Sequence, residues 1–334
     1  MTAITKTNNA AVVNVEYFSD DVINAFVASR HGSANSQRTY RNAVKALVKY
    51  FAAKSITAPT TADIDGFINE LRAANRAAST IRLYATVTKM FFSFLQKQGI
   101  YRDVAQDVEP LRIKKSTCHK RDALTQDQAQ QLLAAIVGND EKSLRDKAIC
   151  ALCLQCGLRT CEIERANVED LTDAGGYFEL VVQGKGCTSK DSDQIVKVAP
   201  QVAAIIFKYW AARGDKVKAD SLYSATDQRP MFTSTSRNQY GSKAARLSAQ
   251  SVGKMIKARM KAVGIDSPKW VAHSLRHTAA TLLISSGKID LREVSSFLRH
   301  ANLGVTLTYL HDLSLKTRRA EMTLADTLFG GVVA

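Results

Sequence analysis

Four cysteines fall in the segment CALCLQCGLRTCEIE, which runs from residue 150 to residue 164. The spacing of Cys150, Cys153 and Cys156 fits either a metal or iron–sulfur site or one apolar face of a helix. A bacterial ferredoxin run separates its last two cysteines by three residues and ends in proline, whereas four residues precede Cys161 and no proline follows. A zinc site would need a second close pair of ligands, which the sequence lacks. We therefore predict that these thiols pack in the core as small hydrophobic side chains.

The other candidates for chemistry are basic or phenolic side chains in the second half of the chain. Arg159 follows Leu158 in the cysteine-rich segment, shortly after a glycine. In HSLRHT, His273 and Arg276 are three residues apart, which places them on one face of a helix. Further on, His300 precedes Tyr309 by nine residues. Each residue taken singly has an ordinary structural explanation, so only the ordered set carries weight.

That ordered set resembles a known family. GLRTCEIE, a GKG turn, HSLRHTAATLLISSG and LRHANLGVTLTYLHD look like the successive motifs of the tyrosine recombinases, the phage-integrase family. The resemblance covers essentially the whole chain, and it is far more specific than a lone H-x-x-R. It implies six catalytic residues: Arg159, Lys185, His273, Arg276, His300 and Tyr309. It also implies supporting roles for Glu162 and His277.

The implied reaction is strand cleavage by Tyr309, leaving a 3′-phosphotyrosine link and a free 5′ hydroxyl. In-line attack builds negative charge on the non-bridging oxygens, for which Arg159 and Arg276 offer forks of donors. His273 would assist proton transfer from the phenol, Lys185 would protonate the leaving hydroxyl and His300 would hydrogen-bond the phosphate. Because the phosphoryl bond is conserved in the protein–DNA link, no ATP, metal or other cofactor is expected.

Three details of this assignment remain open in the sequence. Lys190 lies in the same turn as Lys185 and competes for the role of general acid. Arg159 could pair with Glu162 or with Glu164, each within about one helical turn. The family usually has glycine before the histidine, whereas Arg299 stands there, so we expect a backbone without a left-handed conformation at this position. The unusual cysteines raise a further hypothesis, that the protein is sensitive to oxidation.

The rest of the chain must position these residues. With 334 residues, 46% of them hydrophobic, it can form two domains with substantial cores. Apolar periodicity predicts several helices before and after a small β region, in which YFELVVQ and QIVKVAP alone read as strands, joined by GKGCTSKDSD. We predict a mainly α fold with a small β-sheet (α+β). Its parts are a helical, SAM-like core-binding domain (1–110), a basic linker (111–122) and a catalytic domain with a C-terminal helix (123–334).

Charge and composition indicate the partner. Lys and Arg outnumber Asp and Glu by 46 to 31, giving a net charge of +15, which favours a polyanion such as DNA. No apolar run is long enough for a membrane span, no signal peptide stands at the start, and six cysteines do not make a disulfide framework. We expect a cytoplasmic, nucleoid-associated protein encoded by a bacterium, phage or mobile element. Candidate DNA-binding residues lie in the second and fourth N-terminal helices and the linker: Arg38, Arg41, Arg82, Lys89, Lys114 and Lys115.

The resemblance further implies double-stranded DNA with paired inverted half-sites, bound by a homo-tetramer that is monomeric or dimeric when free. A short amphipathic helix over residues 315–329 would dock onto the neighbouring protomer. Three other functions stay open: a type IB topoisomerase, a catalytically inactive DNA-binding protein, and an iron–sulfur or zinc protein. The target sites, the element served and the direction of the reaction cannot be read from the sequence.

Overall fold

The computed structural model describes residues 15–108, 122–184, 194–214, 228–235, 245–300, 304, 306 and 307. The chain divides into two compact units, residues 1–115 and 116–334. Both are built mainly of helices, and the described strands form one small sheet in the second unit. The prediction of a mainly α fold with a small sheet is therefore confirmed.

The first unit contains the four predicted helices. After a 3-10 turn at Val15–Phe18, they are α1 (Asp20–Ala28), α2 (Ala34–Ala53), α3 (Thr61–Ala73) and α4 (Ala78–Lys97). Their apolar stripes meet in an aromatic core, in which the Phe26 ring packs edge-on against the Phe91 ring at 5.2 Å. Thr60 and Asp63 form a capping box that fixes the start of α3. The unit thus has its own core and regular helix starts.

The second unit begins with three helices, α5 (Gln126–Ala135), α6 (Glu141–Gln155) and α7 (Thr160–Arg165). An antiparallel sheet follows, made of β1 (Leu171–Asp173), β2 (Phe178–Val182) and β3 (Gln194–Val198) in the order β1-β2-β3. The last four described helices are α8 (Pro200–Arg213), α9 (Ala249–Ala262), α10 (Ala272–Ser285) and α11 (Leu291–Phe297). The predicted strands correspond to β2 and β3, while β1 and α8 were not predicted.

Helix α6 lies at the centre of this second core. Ile149 and Leu152 are fully buried, and so are the thiols of Cys150, Cys153 and Cys156. The predicted packing of these cysteines in the core is therefore confirmed. Within the described residues, no group of three or more His, Cys, Asp or Glu side chains is arranged as metal ligands.

Several predictions concern residues outside the described ranges. They are Lys185, Lys190, Tyr309, Lys114, Lys115, nearly all of the linker at 111–122, and the C-terminal helix at 315–329. Among the helices that the structure describes, each is too short or too polar to cross a membrane.

Candidate active site

Arg159 stands at the start of α7, where an extended backbone makes it the N-cap residue. Gly157, two residues earlier, turns the chain with a φ of +59°, and a Cβ there would lie 3.1 Å from the Phe297 ring. The Arg159 guanidinium donates to the Glu162 carboxylate, with 2.7 Å between Nη1 and Oε1, and its backbone N–H donates to Oε2 at 2.8 Å. Of the two possible partners, Glu162 is therefore the one that binds Arg159.

Glu162 binds a second arginine that the sequence did not predict as a partner. Its side chain is completely buried, and Arg299 Nη2 donates to Oε2 at 2.8 Å. Burial raises the pKa of the Glu162 carboxyl, but Arg299 and then Arg159 outweigh burial, so this pKa lies below its ordinary value. One buried carboxylate thus holds two guanidinium groups.

Arg276 lies on α10 and is fully buried. Its Nη1 donates to the carbonyl of Gly157, just before Arg159, and its Nη2 donates to the carbonyl of Leu298 at the end of α11. Arg159 Nη2 lies 3.5 Å from the same Leu298 oxygen. The two arginines predicted to bind phosphate therefore lie together, although they are far apart in the sequence.

The predicted histidines of α10 stand one turn apart. The rings of His273 and His277 are 4.8 Å apart and perpendicular. His277 is buried, whereas His273 lines an open groove of about 700 Å³ together with Arg159 and Cys161. From the other side α9 contributes three polar side chains to the groove: Gln250, Lys254 and Lys257. This groove is basic and reaches Arg159, as a site for a phosphodiester would require.

His300 lies three residues after the last residue of α11. Its Nδ1 is 2.9 Å from the hydroxyl of Thr306, a residue buried in the structure. Burial, followed by the positive charges of Arg276 and Arg159, lowers the pKa of His300 to about 4. The imidazole is therefore neutral at physiological pH, with one nitrogen able to donate and the other to accept.

The backbone at Arg299 differs from the prediction. Its φ is +53°, in the left-handed region, so the expectation that arginine excludes this conformation was wrong. The N–H of Arg299 donates to the Ser296 carbonyl at 2.8 Å, and that of His300 donates to the Ser295 carbonyl at 3.1 Å. These two bonds form a Schellman motif, in which the left-handed position is usually glycine.

Two further arginines position α7 and were not identified from the sequence. Arg165 Nη1 donates to the Gly184 carbonyl at 2.6 Å, which ties the end of α7 to the residue before Lys185. Arg246 Nη1 donates to the Glu164 carbonyl at 3.0 Å. Because these partners are distant in the sequence, no local pattern could have predicted the contacts.

The predicted DNA-binding residues of the first unit differ in their surroundings. Arg38 on α2 and Arg82 on α4 are exposed. Arg41 instead donates to Asn24 Oδ1 at 3.0 Å, and Lys89 Nζ lies 3.5 Å from the Gln106 carbonyl oxygen. Arg38 and Arg82 are therefore the better placed of the four to contact a polyanion.

Two protein-family models match the chain. Residues 122–315, more than half of it, match the Phage integrase family, and residues 23–99 match the Phage integrase, N-terminal SAM-like domain. The chain belongs to the phage integrase family. The resemblance seen in the sequence motifs is thereby confirmed, and with it the assignment of the protein as a tyrosine recombinase.

Relatives of this recombinase align over most of its length. Tyrosine recombinase XerD of Listeria monocytogenes is 26% identical over 90% of this chain and 95% of its own. Tyrosine recombinase XerC of Alcanivorax borkumensis is 32% identical over 75% of each chain. Among solved structures, the XerH site-specific recombinase bound to palindromic difH substrate superimposes with a TM-score of 0.65, at 20% identity, over 87% of this chain and 79% of that one. The activity of this chain is site-specific recombination. The similarity to the solved XerH structure also supports the predicted fold class.

Proposed function

We propose that this recombinase cleaves double-stranded DNA by attack of the Tyr309 hydroxyl on a phosphodiester and rejoins strands by the reverse step. The observation that carries the proposal is the meeting of Arg159 and Arg276 at the Leu298 carbonyl, two residues before His300. Guanidinium groups that are held in place are strong, fixed donors toward developing phosphate charge. XerH, similar in fold, was crystallised with palindromic difH substrate in a post-cleavage complex, and the Tn1549 transposon integrase was solved with transposon right end DNA, which supports DNA as the partner.

Each proposed residue has a defined part in the step. The Tyr309 oxygen forms a bond to phosphorus while the bond from phosphorus to the 5′ oxygen breaks. His273 assists removal of the phenolic proton, and Lys185 protonates the departing 5′ oxygen. His300 is neutral and hydrogen-bonds the phosphate, and His277 packs against His273 to orient it. Reversal by a second strand's 5′ hydroxyl completes strand transfer.

The proposal is tested on a nicked suicide substrate built from half-sites that the protein selects from random-sequence DNA. Wild-type protein should form a covalent adduct that survives denaturant, with the DNA attached to the Tyr309 peptide. Tyr309→Phe should form none, while the matched control Tyr177→Phe, which removes a hydroxyl near Glu179 on β2, should retain the wild-type rate. An adduct formed at the normal rate by Tyr309→Phe would overturn the proposal.

The general acid is tested by changing the leaving group. A 5′-bridging phosphorothiolate departs as a thiolate, which needs little protonation because its pKa is far below that of an alcohol. Lys185→Ala should therefore cleave this substrate at close to the wild-type rate but cleave ordinary DNA slowly. If Lys190→Ala shows that pattern instead, the general acid is Lys190.

We further propose that the recombinase acts as a homo-tetramer on paired inverted half-sites and is monomeric or dimeric when free. The segment 315–329 would dock onto the next protomer, a head-to-tail contact that closes into a ring. A chain truncated after residue 315 should still bind one half-site but lose cooperative assembly in mass photometry.

With a net charge of +15 and DNA as partner, the recombinase has the nucleoid in the cytoplasm of a bacterium as its proposed location. The genes beside its own would show whether it serves a mobile element or a chromosome.

A further inference from the structure

Arg299 occupies a backbone position that normally favours glycine. Its φ of +53° places it in the left-handed region at the C′ position of α11. A side chain other than glycine is strained there, because its Cβ approaches the backbone. A strained residue persists when its surroundings hold it, and such positions cluster at functional sites. The contacts of its side chain therefore need an explanation.

The guanidinium of Arg299 contacts the segments on both sides of Arg159. Nη2 donates to Glu162 Oε2 at 2.8 Å and to the Gly157 carbonyl at 3.2 Å. Nη1 donates to the Cys156 carbonyl at 3.3 Å. The side chain is 5% exposed, so these contacts are made out of water. Glycine at this position could make none of them.

The backbone of Arg299 is in turn contacted by the Arg159 side chain. Arg159 Nη2 lies 3.5 Å from its carbonyl oxygen, and the next residue is His300. Arg159 and Arg299 therefore share Glu162 through their side chains, and the Arg159 side chain also reaches the turn that carries His300. Displacing Arg299 would therefore remove a support that Arg159 and His300 share.

We propose that Arg299 is a positioning residue, which holds Arg159 and His300 in their working arrangement through the buried Glu162 carboxylate. It touches neither substrate nor reacting atoms in this role. The proposal rests on the proposed function of Arg159 and His300 in strand cleavage. A residue that only tolerates the left-handed backbone at a helix end would have no such role.

The test is Arg299→Gly, measured as the single-turnover rate of adduct formation at saturating protein. Glycine suits the left-handed backbone, so the variant should fold, with an unfolding temperature checked beside the rate. We expect cleavage to slow by about tenfold or more, because small displacements of a catalytic group cost that much, while the half-site dissociation constant changes less than threefold. Arg299→Lys keeps the charge without the planar fork and should recover part of the lost rate.

The chain offers a matched control at the end of α2. Ser55 is exposed, also has a φ of +53°, and forms the same pair of bonds to the helix end. Ser55→Gly removes comparable backbone strain away from the site, so it should leave the cleavage rate unchanged. An equal rate in Arg299→Gly and wild type would overturn the positioning role.

A double-mutant cycle tests the route through Glu162. If Arg299 acts through this carboxylate, Arg299→Gly should slow DNA cleavage much less in the Glu162→Gln background than in the wild-type background. Fully additive losses would show that Arg299 does not act through Glu162. Failure of the proposed function is distinguishable, since wild-type protein itself would then form no adduct.

Discussion

The Glu162 carboxylate and the Arg159 guanidinium form a hydrogen-bonded ion pair of 2.7 Å, with the glutamate side chain completely buried. Removing the charge of Glu162 would leave Arg159 and Arg299 with no compensating anion in that place. Breaking a buried pair from one side costs about 3–5 kcal/mol. We therefore expect Glu162→Gln to lower the free energy of unfolding by this amount at pH 7, measured by urea denaturation.

The same variant predicts a pH dependence. Because the folded pKa of Glu162 lies below its unfolded value, its contribution is complete above the unfolded value of 4.5 and is lost as the pH falls through the folded pKa. The gap in unfolding free energy between wild type and Glu162→Gln should narrow over that acidic range. Glu164→Gln, on the same helix but not fully buried, should change stability by at most about 0.5 kcal/mol. A gap independent of pH would contradict this account.

Arg276 and Arg159 should respond differently to replacement by lysine. Arg276 is buried and bridges two carbonyls on separate segments, which a single ammonium cannot do. Leaving a buried carbonyl without its donor costs about 1–3 kcal/mol. Arg159 has a side chain that is 23% exposed, so water can replace part of what its lysine variant loses.

Both lysine variants should cleave DNA roughly a hundredfold to a thousandfold more slowly, as expected when a fixed donor to developing charge is lost. Only Arg276→Lys should also lower the unfolding midpoint in urea clearly. The paired measurement is single-turnover cleavage and denaturation on the same preparations. Equal destabilisation of the two variants would argue against a structural bridge at Arg276.

The sequence predicted the elements whose patterns are local. Amphipathic helices such as α2 and α4 have regular apolar spacing, and the strands on either side of the GKG turn have β-rich composition. Helix α8 was missed because its sequence is apolar on most sides, and β1 because it has only three residues. The order and spacing of the family motifs pointed to Arg159, His273, Arg276 and His300, and the structure places Arg159 beside Arg276.

Long-range contacts lay beyond prediction for a physical reason. Arg299 has a left-handed backbone, and its side chain binds Glu162 on a different helix. Arg165 likewise donates to the Gly184 carbonyl, 19 residues further along the chain. Tertiary contacts decided these two positions against local preference, and no pattern of neighbouring residues records such contacts.

The titration of His300 should be displaced far from that of an ordinary histidine. Its folded pKa is about 4 against an ordinary 6.5, because of burial and nearby arginines. Between these values the unfolded chain binds a proton that the folded protein does not, so stability rises with pH across this window and falls as the pH drops from 6.5 toward 4. NMR of the imidazole carbons, assigned with His300→Gln, should give a midpoint near 4, and a midpoint near 6.5 would refute the burial argument.

Binding of DNA by the first unit should depend on Arg38 and Arg82. Both side chains are exposed, whereas Arg41 is engaged with Asn24. If each exposed arginine contacts a phosphate, its change to alanine should weaken binding similarly for all sequences. The slope of log affinity against log salt concentration should fall by about one for each. Arg41→Ala serves as the control, and the same salt slope in all three variants would exclude phosphate contacts at these positions.

The cysteines should differ sharply in their reactivity toward N-ethylmaleimide. Burial raises the pKa of Cys150 and of Cys156 to about 12, and Cys153 is buried beside them, so all three should stay unlabelled until the protein unfolds. Cys161 is only half-buried and lines the groove beside Arg159, although burial raises the pKa of its thiol as well. Among these four, it should label first, and slowly.

An adduct on Cys161 would fill the groove that reaches Arg159, so labelling should block DNA cleavage. The loss of cleavage activity should proceed in step with modification of the Cys161 peptide, which peptide mass spectrometry measures. Cys161→Ser should remain active after the same treatment, because serine offers no thiolate to the reagent. If Cys161→Ser loses activity at the wild-type rate, the reagent inactivates the protein at another cysteine. The hypothesis that the cysteines around Arg159 make the protein sensitive to oxidation would then be wrong.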